Sequence, residues 1–276
     1  MQRFVVVTCA LLLAATAAGC GEDPEVAAER AREEQWQQID QTVQELTAKR
    51  GQLEAARAAE AAAEEGEAGA AEDEAAGAEG DAAGAEDDAA DGAGAAADVE
   101  SLEAETTGLA DDLYQQLVEF INANPPVEGE TPPERVQQAI RLKSDEDIRI
   151  ARGWIDEGGD YRRAIDILSG ALEADSGYEA LQEELAEAES MRFVTEERFA
   201  RVEDGMTRDE VRAILGQVNL RNIRDYAEKD AVAWFYSRDE RGSAAAVWFQ
   251  ERRGEYVVYE TDFHFKDAGE SGGEDG

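Results

Sequence analysis

Apolar residues recur along this chain with three spacings, and each spacing predicts a different kind of segment. Phe4 to Ala18 is a nearly unbroken apolar run behind one cation, Arg3, and it gives way to Gly19-Cys20. A short basic start, an apolar stretch and small residues at its end describe a secretory signal, and the run is shorter than the roughly 20 residues of a membrane span. From residue 24 to 65 the chain is rich in the strong helix formers Ala, Glu, Gln, Arg and Lys, with Pro24 where helices often begin. Trp36, Ile39, Val43, Leu46 and Leu53 recur at helical spacing there and predict a long amphipathic helix with a coiled-coil-like seam. That seam either joins a second chain or lies on a neighbouring helix. Helical spacing returns over 99–124, with Leu102, Leu109, Leu113, Leu117, Phe120 and Ile121, until Pro125-Pro126 stops it. A helix over Glu134–Leu142 is predicted next. Ser144, followed by Asp145-Glu146-Asp147, reads as the cap of a further helix reaching Gly158-Gly159. Asp160 opens another over Tyr161–Ala174, and one more is expected over Gly177–Ser190.

The spacing changes after Val202. Thr207 and Glu210 form a capping box at the start of a short helix that carries Val211, Ile214 and Leu215, and Gly216 supplies a left-handed stop. Three alternating segments follow: Ala231–Ser237 with Val232, Trp234 and Tyr236 on one face, Ser243–Glu251, and Tyr256–Phe265 with Val257, Tyr259, Thr261, Phe263 and Phe265 on one face. Arg253-Gly254 closes the last hairpin. The fold class predicted is α+β: a long helix and a helical-hairpin region, then a two-layer domain of helices on a three-stranded antiparallel meander.

Charge divides the chain further. The net charge is −39, most of it in the N-terminal part, and no Lys or Arg occurs between Ala58 and Glu134. Residues 66–98 hold Ala, Gly, Glu and Asp with no large apolar side chain, so they read as an acidic, disordered linker. As a spacer it would lift a domain from a membrane; as a neutral expansion it would do nothing. The resulting division is 1–19 signal, 20–65 anchor and helix, 66–98 linker, 99–190 helical region, 191–266 α+β domain and 267–276 acidic tail. So little clustered positive charge excludes phosphate-dominated nucleic-acid binding. Of the two cysteines, Cys9 lies in the removable run, so no disulfide is expected in the mature chain. The single His, His264, is placed on the polar face of the last strand with Glu260 and Asp262, as an exposed bystander. Trp154, Trp234 and Trp248 are read as core. No hydrolase, metalloprotease, phosphate-loop or EF-hand spacing is found, so no catalytic, metal or cofactor residue is assigned and no enzyme activity is expected.

Three resemblances carry the functional expectation. Ala17-Ala18-Gly19-Cys20 resembles the lipobox of bacterial lipoproteins, with Ala17 where that motif usually has Leu. The resemblance implies cleavage before Cys20 and lipid on its thiol; an ordinary signal cut near Ala18 is the other reading. Gly21 after the cysteine implies sorting to the outer membrane. Gly159-Asp160-Tyr161-Arg162-Arg163-Ala164-Ile165, then Ala171-Leu172-Glu173-Ala174-Asp175, resembles a tetratricopeptide repeat, either in a degenerate array or as a lone hairpin. The run Gly205, Met206, Thr207, Glu210, Val211, Leu215 and Gly216, with Trp234 and Tyr236 beyond it, resembles the SmpA/OmlA (BamE-like) family of outer-membrane lipoprotein domains over about 195–266. Gln217-Val218 stand where that family usually has Pro.

Together these imply a lipid-anchored, non-enzymatic outer-membrane protein, probed from the periplasmic side by protein partners of the cell envelope, in β-barrel assembly or scaffolding. The membrane is met through lipidated Cys20, and an oligomer through residues 24–65 is open. The alternatives are a coiled-coil spacer lipoprotein and an inhibitor or ligand-binding module.

Overall fold

The computed structural model of the chain describes residues 23–74, 89–126, 129 and 131–265. The signal with Cys20, the middle of the acidic linker and the tail 267–276 lie outside the described residues. Seven helices, α1 (Pro24–Glu74), α2 (Ala89–Ala123), α3 (Glu134–Gly158), α4 (Tyr161–Ala174), α5 (Glu179–Arg192), α6 (Glu196–Phe199) and α7 (Arg208–Leu215), precede or flank four strands, β1 (Ile223–Tyr226), β2 (Ala231–Ser237), β3 (Ala244–Arg252) and β4 (Glu255–Asp262). The fold is α+β, helical first and then built on a sheet.

The apolar stripe of α1 is satisfied inside the chain. Trp36, Ile39 and Leu46 share one core with Leu113, Leu117 and Phe120 of α2 and with Val136 and Ala139 of α3. Trp36 meets Phe120 edge-on at 5.5 Å, the preferred aromatic geometry. Thr42 on α1 donates to Gln116 on α2, and Arg57 pairs with Glu103. Of the two readings of the seam, packing on neighbouring helices is the one the structure shows, and an oligomer formed through this stripe would have to open this core. The linker is also shorter than expected: α1 runs on to Glu74 and α2 begins at Ala89, so parts of 66–98 are helical. Alanine's helix propensity prevails there over the scattered glycines.

α3 is one helix where two were expected. Neither Pro nor Gly occurs between Glu134 and Arg152, so nothing breaks the backbone ladder at Leu142. Ser144 is buried in mid-helix instead of capping. The acidic run after it makes ion pairs: Glu146 takes both Arg50 of α1, at 2.8 Å, and Arg149, at 2.7 Å, while Asp147 takes Lys143 at 2.6 Å.

α3, α4 and α5 enclose a second core around Ile148, Ala151, Ala164, Leu168, Ala171 and Leu181. The tight α3–α4 turn matches the expectation. Gly159 takes φ 61° and ψ 26°, the left-handed cap that glycine favours, and Asp160 accepts from the Arg163 N–H at 3.2 Å. Tyr178, just before α5, donates to Asp145 of α3, and Arg152 of α3 pairs with Glu184. α3 and α5 therefore run the same way on either side of α4.

The sheet is an antiparallel meander in the order β1-β2-β3-β4. Three strands were expected; β1 is the addition, and its four residues offer too short an alternation to stand out. Val232, Trp234, Tyr236, Val247, Phe249 and Val258 face a core closed by Val211 and Leu215 of α7 and by Phe199 of α6. Arg253 and Gly254 both take positive φ, as a two-residue primed hairpin turn requires. The register shifts in β4: Phe249 stands opposite Val258, yet Trp248 stands opposite Glu260, so Tyr259 is an extra, bulged residue. The single apolar face expected for Tyr256–Phe265 is divided: across the bulge the α7-side core takes Val258 and then Phe263, and the chain past the strand's end turns Phe265 away from Phe263. Phe263 joins the α7 side, Phe265 joins the opposite side, and both lie beyond the strand's end at Asp262. Trp248, expected in the core, is half-buried on that opposite face with Tyr226, Phe235 and Phe265.

Candidate functional site at the seam between helices and sheet

Residues of the Gly205–Gly216 run, with Tyr236, occupy two structural joints. The first ties the chain before α7 to β4. The Gly205 N–H donates to the Val258 carbonyl at 2.9 Å, the Val258 N–H donates to the Met206 carbonyl at 2.8 Å, and Thr207 bridges to Val257. These contacts cover part of an otherwise open sheet edge, which would invite pairing with another chain. The predicted capping box is present: Glu210 N–H donates to Thr207 Oγ1 at 3.2 Å, and Thr207 N–H donates to Glu210 Oε2 at 2.8 Å. Val211, Leu215 and Trp234 are fully buried between α7 and the sheet. Arg208 and Arg212 lie over the aromatic edge of that core, Arg208 at 3.9 Å from the Tyr256 ring centroid and Arg212 at 5.1 Å from that of Trp234.

The second joint attaches the sheet to the helical hairpin. Gly216 ends α7 with φ 86° and ψ 178°, not the left-handed stop expected, but an extended positive-φ conformation essentially confined to glycine. A Cβ there would lie 2.5 Å from the Tyr161 hydroxyl. The Gln217 N–H donates to that hydroxyl at 3.0 Å, and the Tyr236 hydroxyl donates to the Gly216 carbonyl at 3.3 Å. Gly159 meets the same segment from the helical side: a Cβ there would sit 2.4 Å from the Val218 carbonyl oxygen, and Asn219 Nδ2 donates to the Gly159 carbonyl at 3.3 Å. Sequence reasoning placed Gly216 and Tyr236 in the motif but missed Gly159 and Tyr161 as their partners. The adjacent glycines 158 and 159 were the one available signal.

A small cleft opens at this joint, lined among others by Tyr161, Met191, Gln217, Asn219, Asn222 and Tyr236, with a volume of about 40 Å³. That is room for very few waters and far below the few hundred Å³ of a metabolite pocket. Burial pushes the Tyr236 hydroxyl well above its ordinary range. Burial also raises Tyr161, against the opposing pull of the Gln217 N–H. Both hydroxyls stay neutral at physiological pH and serve as hydrogen-bonding pegs. His264 lies exposed beyond β4, where its backbone N–H donates to Asp262 at 2.9 Å. Among the described residues no three His, Cys, Asp or Glu side chains converge as metal ligands, and no helix is long and apolar enough to cross a membrane. No protein-family model, curated protein or solved structure matches this chain.

Proposed function

We propose that this chain is a lipid-anchored, non-enzymatic envelope protein, held in the outer membrane through Cys20 with its folded body on the periplasmic side. Its role is to bind another protein, in β-barrel assembly or envelope scaffolding. The observation that carries the reading is the apolar run Phe4–Ala18 ending in Gly19-Cys20-Gly21. Several acyl chains on one cysteine residue hold a protein firmly at a bilayer, at about 0.8 kcal/mol per buried methylene. The protein-binding part rests on the resemblance of residues 195–266 to the SmpA/OmlA family. Most of the motif's apolar and aromatic residues are buried or form joints, so they build the body and leave partner contact to other side chains. The helices α3 to α5 act as a packing module that presents the sheet.

The test is the mature N-terminus. After expression in a double-membraned bacterium, mass spectrometry should find acyl groups on Cys20, and Cys20→Ala should move the protein from the membrane to the soluble fraction. An N-terminus cut near Ala18 without lipid overturns the anchor. Co-purification from solubilised outer membranes should recover barrel-assembly or envelope proteins; recovery of the chain alone overturns the partner role.

A further inference from the structure

The acidic segment reads from the sequence as a tether between anchor and domain, but the chain path gives it another place. Along α1 and α2 the contacts run in opposite senses. Arg32 reaches Asn124, Trp36 meets Phe120, Thr42 meets Gln116 and Arg57 meets Glu103. The two helices are antiparallel, so the end of α2 returns to the start of α1, next to the residues that follow Cys20. α3 then runs alongside α1 in the same direction, with Arg135 near Glu33 and Glu146 at Arg50. The end of α3 carries the joint to the sheet through Gly159 and Val218.

From this path we propose that the acidic Ala/Gly-rich ends of α1 and α2, up to Glu74 and from Ala89, are the far end of a two-helix arm, and that the length of chain joining them contributes nothing to the distance between the anchor and the sheet. The base of α1, α2 and α3 sets that distance. By the pairing of α1 with α3, Gly158 stands level with residue 60 or so of α1. At 1.5 Å of rise per residue the joint is then about 50 Å from Pro24 along the helix axis, and Glu74 is about 75 Å from it. With α1 standing along the bilayer normal, the sheet domain is held off the bilayer, and the end of α1 at Glu74 lies several Debye lengths from the lipid headgroups, where salt screens repulsion. The proposal rests on attachment through Cys20 and is tested so that the two can fail separately.

Residues 20–276, whose only thiol is Cys20, are coupled through it to a maleimide lipid in phosphatidylcholine vesicles, which makes the attachment independent of natural acylation. A dye at position 241, exposed between β2 and β3, reports energy transfer to acceptors on the headgroups. Two variants are compared with the parent: one with 66–98 replaced by a six-residue Gly-Ser loop, and one with 20 Gly-Ser residues inserted after Gly80. Transfer should be the same in all three and correspond to a separation on the order of 50 Å. A rise in transfer on shortening, a fall on lengthening, or a parent dye near the headgroups overturns the proposal. Absence of acyl groups from the natural chain would overturn the anchor alone and leave the vesicle result intact.

Discussion

At Gly159 an added methyl would lie 2.4 Å from the Val218 carbonyl oxygen, and at Gly216 it would lie 2.5 Å from the Tyr161 hydroxyl. Both residues also hold positive φ, so a side chain there is strained before it collides. Gly205 holds φ 88° with open space around it and separates strain from collision. Gly205→Ala should cost about 1 kcal/mol, the backbone term alone. Gly159→Ala should cost about 2–4 kcal/mol, because its neighbour is backbone that cannot swing away. Gly216→Ala should fall between them, since the Tyr161 ring can shift. Denaturant titrations of the three variants check the order, and equal losses would show that the joint is not tightly packed. The capping box was legible at this scale because its two partners are three residues apart; Tyr161 and Gly216, 55 positions apart, were not.

Helix α4 and strand β2 form over the ranges their periodicity predicts, and each has local punctuation: Asp160 before α4, Asp230 at positive φ before β2. The break predicted in α3 does not form. Ser144 and its acidic followers resemble a cap in sequence, but Glu146 is buried and held by Arg50 from another helix. Removing one member of a buried pair leaves the other charge uncompensated. Arg149 remains beside Glu146, so Arg50→Ala should cost about 1–2 kcal/mol rather than the larger loss of an isolated pair. Adding Glu146→Gln to Arg50→Ala should recover part of that loss, because a neutral amide needs no counter-ion. Urea unfolding of the single and double variants measures the coupling, and simple additivity would show that the two side chains do not interact. β1 was illegible for the complementary reason. Its Ile223 and Tyr226 bracket two charged residues, and the strand exists because β2 offers a partner.

At the scale of the whole molecule, Tyr161 and Tyr236 are the hydroxyl groups that bond across the seam. Both are raised above the ordinary tyrosine value of 10.0, chiefly by burial. The unfolded chain releases these protons near pH 10 while the folded chain keeps them. The contribution to stability is therefore complete below pH 10 and falls as pH rises toward the raised folded values, by about 1.4 kcal/mol per pH unit for the deeply buried Tyr236 and by less for the more exposed Tyr161. Tyr236→Phe should be about 1 kcal/mol less stable at pH 7, from the lost bond to Gly216. It should also lose stability less steeply above pH 10, so the two curves converge in alkali. Thermal melts from pH 7 to 11.5 test this, and parallel curves would show that Tyr236 titrates freely in the folded state.

What the sequence determined alone was local: the α+β class, the helical hairpin turn, the capping box and two of the strand spans. Each depends on residues within one turn or one alternation of each other, where propensity and sterics act without the rest of the chain. The tertiary structure decided which apolar stripes are already covered, that α3 continues through Ser144, that β4 bulges at Tyr259 and that α1 and α2 pair antiparallel. Those outcomes depend on partners tens of residues away, brought together by burial of apolar area, and no spacing within a single segment encodes them.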